Sequence, residues 1–172
     1  MLEEARWTIW GECRHHHNRV EERTRGKRLP PEMEKVSKID EDNTKWLRHV
    51  VDKHGWPTVT MVGKDGAQAA WLLVQHADKD RKFQRQCLDL MKDLLPKGEA
   101  DKKNYAYLTD RVLLAEGKKQ LYGTQFHQVN GKYEPRPLED PLNVDERRKE
   151  MGLGSLEEYR KQMESAYGPK KK

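Results

Sequence analysis

The sequence predicts a mainly α-helical protein, a single compact helical domain with a small β-hairpin near the C-terminal third. Two observations lead to this prediction. Apolar residues recur at spacings of three and four along several long segments, as on the buried face of a helix. The pair Asn130-Gly131 stands between two short segments with strand character, and such a pair favours a tight hairpin turn.

The length and composition agree with one folded domain. A chain of 172 residues can enclose one core. The charged fraction is high at 37%, but five Trp and six Tyr argue against disorder. We divide the chain into an N-terminal helix with a basic loop (1–36), a core helical domain (37–160) with the hairpin at about 120–138, and the end of the last helix with a lysine tail (161–172).

The positive net charge does not predict a nucleic-acid partner. The formal charge is +5, and the tail at 170–172 supplies three of these charges. Elsewhere both signs are interspersed, whereas nucleic-acid binding needs a concentrated basic face. The densest basic cluster is typical of a solvated flexible segment. It consists of Arg23, Arg25, Lys27 and Arg28.

Cysteine usage and hydropathy predict a cytoplasmic protein. Cys13 and Cys87 are far apart, so they form neither a disulfide framework nor a CxxC metal pair, and a reducing compartment fits them. The segment after Met1 has no apolar signal region, and no stretch of the chain is long and apolar enough to predict a membrane span. We therefore expect no membrane partner.

The N-terminal half predicts three helices separated by loops. The segment 23–33, with Gly26 and two prolines, is typical of a loop. Asp40 is a suitable cap for the second helix, and Gly55 is suited to the position just past its end. The segment 56–63 (WPTVTMVG) indicates a short extended piece or strand. The three helices are predicted over residues 3–24, 40–54 and about 65–77.

The C-terminal half predicts the hairpin and four further helices. Pro135 and Pro137 confine the second strand to a sheet edge. The helices are predicted from Asp78 or Asp80 to Leu95, over about 103–116, from Asn143, and from the capping box formed by Ser155 and Glu158.

Polar side chains recur at positions that helical spacing assigns to the core. Gln75 and His76 lie four residues after Trp71 and Leu72. Asp110 stands among apolar residues, and a charge buried there must be paired or face a wet cavity. For each residue alone, a satisfied polar group at a helix end is the competing interpretation. Further core-facing polar positions are Asn43, His54 and Gln84.

Several long motifs occur in one order along most of the chain. They are HGWPT at 54–58, VGKDGAQAAWLLVQHAD at 62–78, AYLTDRV at 106–112 and QLYGTQ at 120–125, followed by EDP at 139–141 and DERR at 145–148. Over about residues 36–160 the chain resembles an uncharacterised bacterial family of domains of unknown function. The resemblance implies that these motifs belong together and implies no particular activity. The N-terminal segment EERTR departs from the expected Asp-Gln-x-x-Arg element, so the predicted site excludes it.

The first hypothesis is a metal-free enzyme for a small molecule, with its pocket framed by HGWP, the QHAD helix end, the TDR helix and a YGTQ strand. His76 or His54 would transfer protons, oriented by Asp110, because imidazole titrates near neutrality and a carboxylate fixes its tautomer. Arg111 would hold an anionic or carbonyl group of the substrate. Further substrate contacts are predicted for Gln75, Tyr122, Thr124, Gln125, Asn43 and Trp56.

Two alternatives stay open. His54, His76 and Asp110 have the composition of a two-histidine, one-carboxylate site for a divalent metal, although their spacing is not diagnostic. Apart from this option, no cofactor is predicted. A non-catalytic module would instead bind a small molecule, a peptide or a protein partner through aromatic anchors such as Trp56 and Tyr122.

Overall fold

The mainly α-helical prediction is confirmed by the structure, a computed structural model that describes residues 30–167. Internal packing divides the chain into two units, Met1–Asp42 and Asn43–Lys172. The helix predicted over 3–24, the basic cluster and the lysine tail lie outside the described residues. Among residues 30–167, none of the helices has the length and apolar character required to cross a lipid bilayer.

Six helices and two strands make up the described part of the chain. The helices are α1 (Pro31–His54), α2 (Val59–Gln75), α3 (Arg81–Leu94), α4 (Lys102–Ala115), α5 (Val144–Glu150) and α6 (Leu156–Tyr167). The strands are β1 (Phe126–Val129) and β2 (Lys132–Pro135), and short 3-10 turns occupy Leu95–Lys97 and Pro141–Asn143.

The predicted hairpin is confirmed with its turn. Strands β1 and β2 pair antiparallel, with Val129 opposite Lys132. Asn130 and Gly131 have φ values of 49° and 80°, the left-handed conformation that a two-residue hairpin turn requires.

Short polar side chains start the helices at or close to the predicted positions. Asp80 accepts a hydrogen bond from the Phe83 N–H at 3.1 Å and so caps α3. At the start of α6, the Ser155 N–H donates to Glu158 at 2.9 Å and the Glu158 N–H donates to Ser155 Oγ at 3.2 Å. These two bonds are the reciprocal pair of a capping box.

Three local predictions are wrong. Helix α1 begins at Pro31, nine residues before Asp40, because proline is favoured in the first turn, where its missing N–H costs nothing. The segment 56–63 is no strand: Thr58 caps α2, which begins at Val59 and has a kink at Gly63. The β-branched residues there suggested a strand, but the cap determines the local structure. Residues 121–125 form a loop before β1, so YGTQ is no strand either.

Two apolar clusters hold the unit Asn43–Lys172 together. The larger one, the helical cluster, contains buried side chains of α2, α3 and α4, including Trp71, Phe83 and Leu108. The smaller one, the hairpin cluster, consists of Phe126, Tyr133 and Met163 with partly buried neighbours on α6. Most candidate residues lie at the C-terminal end of α2, on α4 and on the loop 120–125.

Candidate functional site

Asp110 is the anchor of the loop 120–125. It is fully buried on α4. Its carboxylate accepts hydrogen bonds from the backbone N–H groups of Leu121 at 2.7 Å, Tyr122 at 3.0 Å and Thr124 at 2.8 Å, and from the Thr124 hydroxyl at 2.8 Å. Burial raises the pKa of Asp110, while the bonds from Thr124, Tyr122 and Leu121 oppose that shift. The carboxylate is therefore occupied by the loop rather than open to a ligand.

Two arginines of α5 hold the opposite side of the same loop. Arg147 Nε donates to the Leu121 carbonyl at 2.9 Å, and Arg148 Nη1 donates to the Tyr122 carbonyl at 2.7 Å. The peptide unit between Leu121 and Tyr122 thus has its N–H directed to Asp110 and its carbonyl directed to Arg147. Peptide dipoles aligned between a carboxylate and guanidinium groups stabilise both charges.

A glutamine closes the loop at its two ends. Gln120 Nε2 donates to the carbonyls of Gln125 at 3.0 Å and Arg136 at 2.7 Å, and Gln120 Oε1 accepts from the Gln125 N–H at 2.9 Å. The Gln125 side chain in turn donates to Thr124 Oγ1 at 3.1 Å. Thr124 and Gln125, predicted as substrate contacts, are therefore parts of the loop's own hydrogen-bond network.

Burial also affects the phenol of Tyr122. Together with the nearby Tyr105 and Asp110, burial raises the pKa of Tyr122 to about 12. The phenol therefore stays protonated at neutral pH and is available as a hydrogen-bond donor, not as a base.

A second polar cluster lies at the end of α2. His76 lies at the C-terminal end of that helix, where its N–H donates to the Leu73 carbonyl and the Ala77 N–H donates to the Val74 carbonyl, both at 3.1 Å. Arg111 Nη1 pairs with Asp78 at 3.0 Å, and Gln84 Nε2 donates to Asp78 at 3.2 Å. Gln84 also donates to the Val74 carbonyl at 3.1 Å, which satisfies one of the last helical acceptors. We call His76, Asp78, Gln84 and Arg111 the QHAD cluster.

The QHAD cluster keeps Asp78 ionised. Burial raises the pKa of Asp78, but the charge of Arg111, the bond from Gln84 and the charge of His76 outweigh it, so this pKa lies below its usual value. A positive charge on His76 therefore favours the ionised form of this carboxylate. The Asp78 side chain is 42% exposed and that of Arg111 only 10%, so the carboxylate end is the accessible one.

The other predicted residues lie elsewhere. Gln75, which directly precedes His76 in the sequence, is fully buried. His54 is exposed at the last residue of α1, and Asn43 is half-buried on the same helix. Within residues 30–167, the structure does not bring three His, Cys, Asp or Glu side chains together in an arrangement that could hold a metal ion, and this includes His54, His76 and Asp110.

Trp56 lines a cavity of about 670 Å³, which is separate from the loop 120–125 and from the QHAD cluster. We call it the α2–α4 cavity, because α2 and α4 contribute more lining residues than any other helix. No local pattern predicts it, because its lining comes from four separate segments. The residues that line it are Trp56, Val59, Lys64, Ala67, Gln68, Trp71, Met91, Leu95, Gly98, Ala100, Asp101, Lys102, Lys103, Asn104, Lys149, Glu150, Met151 and Gly152.

Two residues of this region were not predicted, although their positions in the sequence indicated a role. Asp78 lies in the QHAD motif, where its position at a helix start favoured a capping role alone. Arg148 follows the buried Val144 by four residues, so helical spacing places it on the same inward face of α5. A charged residue at such a position indicates a buried cation with dedicated acceptors.

The comparisons identify the family. Residues 19–172 match the family described as "Family of unknown function (DUF6624)". The match covers most of the chain, so the protein belongs to this family, and the resemblance to an uncharacterised domain family is confirmed. Searches among curated proteins and among solved structures gave no match. Any functional assignment therefore depends on the geometry of the site.

Proposed function

We propose that this protein is a bacterial, cytoplasmic enzyme that acts on a small molecule, with His76 as the residue that accepts and donates a proton. The supporting observation is the ionised carboxylate of Asp78 beside His76, held in place by Arg111 and Gln84. A cytoplasmic location is supported by the buried free thiol of Cys87.

The partner of His76 in this proposal is Asp78, not Asp110. The Asp110 carboxylate already accepts four hydrogen bonds from the loop 121–124. A neighbouring carboxylate stabilises the imidazolium that forms when histidine takes a proton from a substrate. The position of His76 at the C-terminal end of α2 adds to this stabilisation, because that end of a helix is partly negative.

Arg111 and Gln84 position Asp78 in this proposal. Both donate to Asp78 Oδ1, at 3.0 Å and 3.2 Å, so the carboxylate cannot rotate away without losing charge-assisted bonds. The Arg111 Nε–H is buried and makes no hydrogen bond within the described residues. In this proposal Arg111 acts by holding Asp78, since its side chain is only 10% exposed and has little surface for a direct substrate contact.

The first test is the titration of His76 followed by NMR of the imidazole C–H groups. Asp78→Asn removes the negative charge beside the ring, so His76 should lose its proton at lower pH than in the parent. The His76→Gln variant assigns the resonance. His49, exposed on α1, is the internal control, and its titration should be the same in both proteins. An unchanged titration of His76 would contradict the proposed pair.

The second test separates an active site from an ordinary helix end. A collection of small molecules is screened through the His76 resonances. The proposal expects at least one compound that shifts the His76 resonances and is turned over by the parent protein. The His76→Gln variant should still bind this compound but should not turn it over. If no compound shifts the resonances and His76→Gln loses about 1–3 kcal/mol in urea unfolding, His76 has a structural role only.

A non-catalytic binding module is the second candidate function. A specific observation favours it: the α2–α4 cavity has a volume of about 670 Å³, within the range common for small-molecule sites. Trp56, the predicted aromatic anchor, lies in its wall.

A further inference from the structure

Four lysines converge on the α2–α4 cavity without counter-ions. They come from three helices: Lys64 from α2, Lys102 and Lys103 from α4, and Lys149 from α5. Within the described part of the chain, none of the four forms an ion pair. Some lysines away from the cavity do so: Lys118 pairs with Glu116 at 2.9 Å, and Lys161 pairs with Glu157 at 3.7 Å. Like charges gathered around one concavity repel each other unless an anion neutralises them.

The acidic residues of the lining balance only part of this positive charge. Asp101 and Glu150 are the only carboxylates among the lining residues, so the lining has two more cations than anions. Asp101 Oδ1 is occupied as the cap of α4, where it accepts from the Asn104 N–H at 2.8 Å. Lys102 and Lys103 also stand in the first turn of α4, where the helix end is partly positive and cations are unfavourable.

The interior of the cavity offers neutral donors and apolar contacts. Asn104 Nδ2 donates to Gln68 Oε1 at 2.7 Å, which orients the Gln68 side-chain amide. The N–H donors of Gln68 Nε2 have no acceptor among the described residues. Trp71 Nε1 donates to the Asn104 carbonyl at 2.9 Å and so holds the first turn of α4 against α2. Met91 and Trp56 supply apolar wall.

We propose that the α2–α4 cavity binds a phosphorylated small organic molecule, with the phosphate among Lys64, Lys103 and Lys149 and the organic part against Gln68 and Trp56. The two excess positive charges match a phosphate monoester, whose charge at neutral pH is about −1.5 to −2. A cavity of about 670 Å³ exceeds what a phosphate group alone would fill. No member of the QHAD cluster lines this cavity, so the inference is independent of the acid–base proposal.

The test compares three probes by their effect on the indole N–H resonance of Trp71, which lies in the cavity wall. Phenyl phosphate offers the dianion and an organic part, inorganic phosphate offers the charge alone, and benzoate offers an organic part with a single charge. The proposal expects phenyl phosphate to bind most tightly and its affinity to fall with added salt. Trp46, 61% exposed on α1, is the internal reference and should not shift.

Matched lysine variants test where the phosphate binds. Lys103→Gln with Lys149→Gln should weaken phenyl phosphate binding about tenfold, because two charges next to the phosphate are lost. The control, Lys118→Gln with Lys161→Gln, removes the same net charge from exposed lysines that pair with Glu116 and Glu157. Urea unfolding shows that both variants fold.

Three results would overturn the proposal. If phenyl phosphate did not shift the Trp71 resonance, the cavity would not be a binding site for it. Equal losses in the two double variants would show attraction to the net charge of the protein rather than binding in the cavity. Benzoate binding as tightly as phenyl phosphate would exclude a phosphate as the recognised group.

Discussion

At the scale of single residues, the buried charges explain why the loop 120–125 has one defined conformation. Asp110 and Arg148 are both at most 2% exposed, and unpaired charges at such positions would be prohibitively costly. Each is satisfied by backbone groups of the loop: the carboxylate by N–H donors and the guanidinium by carbonyl acceptors. Burial lowers the pKa of Arg148, and the charge of Asp110 opposes that shift. The two residues therefore stabilise one loop from opposite sides.

Asp110→Asn tests this structural role. The amide keeps the size of the side chain but loses the charge and turns N–H donors toward the N–H groups of Leu121, Tyr122 or Thr124. We expect urea unfolding to show a loss of about 3 kcal/mol, since buried donors lose charged acceptors.

Asp89→Asn is the control for Asp110→Asn. Asp89 is exposed and lies 3.7 Å from Arg85, so its loss should cost less than about 1 kcal/mol. A loss at Asp110 as small as the loss at Asp89 would show that the carboxylate is not needed for the loop and would favour the predicted catalytic role.

At the scale of elements, the loop 120–125 must pass close to α6. Gly123 has a φ of 64°, and a Cβ atom at this position would lie 2.7 Å from Leu156 Cδ1 and 3.4 Å from Leu138 Cδ2. A side chain here would therefore be strained by its backbone conformation and crowded by its neighbours. Only glycine meets both conditions, which explains its place in the QLYGTQ motif.

Gly123→Ala and Gly117→Ala together separate crowding from backbone strain. Gly117 follows α4 with a φ of 74°, and a Cβ atom there would have no neighbour within 4 Å, so its alanine variant should lose about 1 kcal/mol from conformation alone. Gly123→Ala should lose at least about 1 kcal/mol more, because the side chain must displace Leu156. Thermal or urea unfolding measures both. Equal losses would mean that Leu156 moves aside freely and that α6 does not press on the loop.

The elements also show which features the sequence could predict. Periodicity found the helices and placed Asp110 in the core, because these features depend on residues three or four apart. The acceptor role of Asp110 toward Leu121 to Thr124 and the convergence of the cavity lysines depend on contacts between separate elements. Neither leaves a local pattern. The start of α1 was different: Pro31 was a valid helix-start signal, but the preceding Pro30 and Gly26 made a loop the stronger interpretation.

At the scale of the whole unit Asn43–Lys172, aromatic contacts join the helical cluster to the hairpin cluster. Trp71 meets Tyr107 edge-on at 6.3 Å, Tyr107 meets Tyr159 at 6.1 Å, and Tyr159 meets Phe126 at 5.3 Å. Arg148 lies over the Tyr159 ring at 5.3 Å. Arg148 therefore contacts both the loop anchored on α4 and the α6 face that covers the hairpin, so it connects the two clusters.

Arg148→Met tests that connection by hydrogen exchange. Methionine keeps apolar bulk beside Tyr159 but leaves the carbonyls of Tyr122 and Gly154 without their donors. We expect amides of the hairpin and α6 to exchange about 100-fold faster, because local opening of this region no longer has to break those buried bonds. The core amides of α3 should keep their protection. The control is Arg160→Met, a partly exposed residue of α6 paired with Glu157 and Glu164, which should change exchange little. Equal acceleration in α3 and the hairpin would show instead that the two clusters unfold only together, and that Arg148 stabilises one cooperative unit.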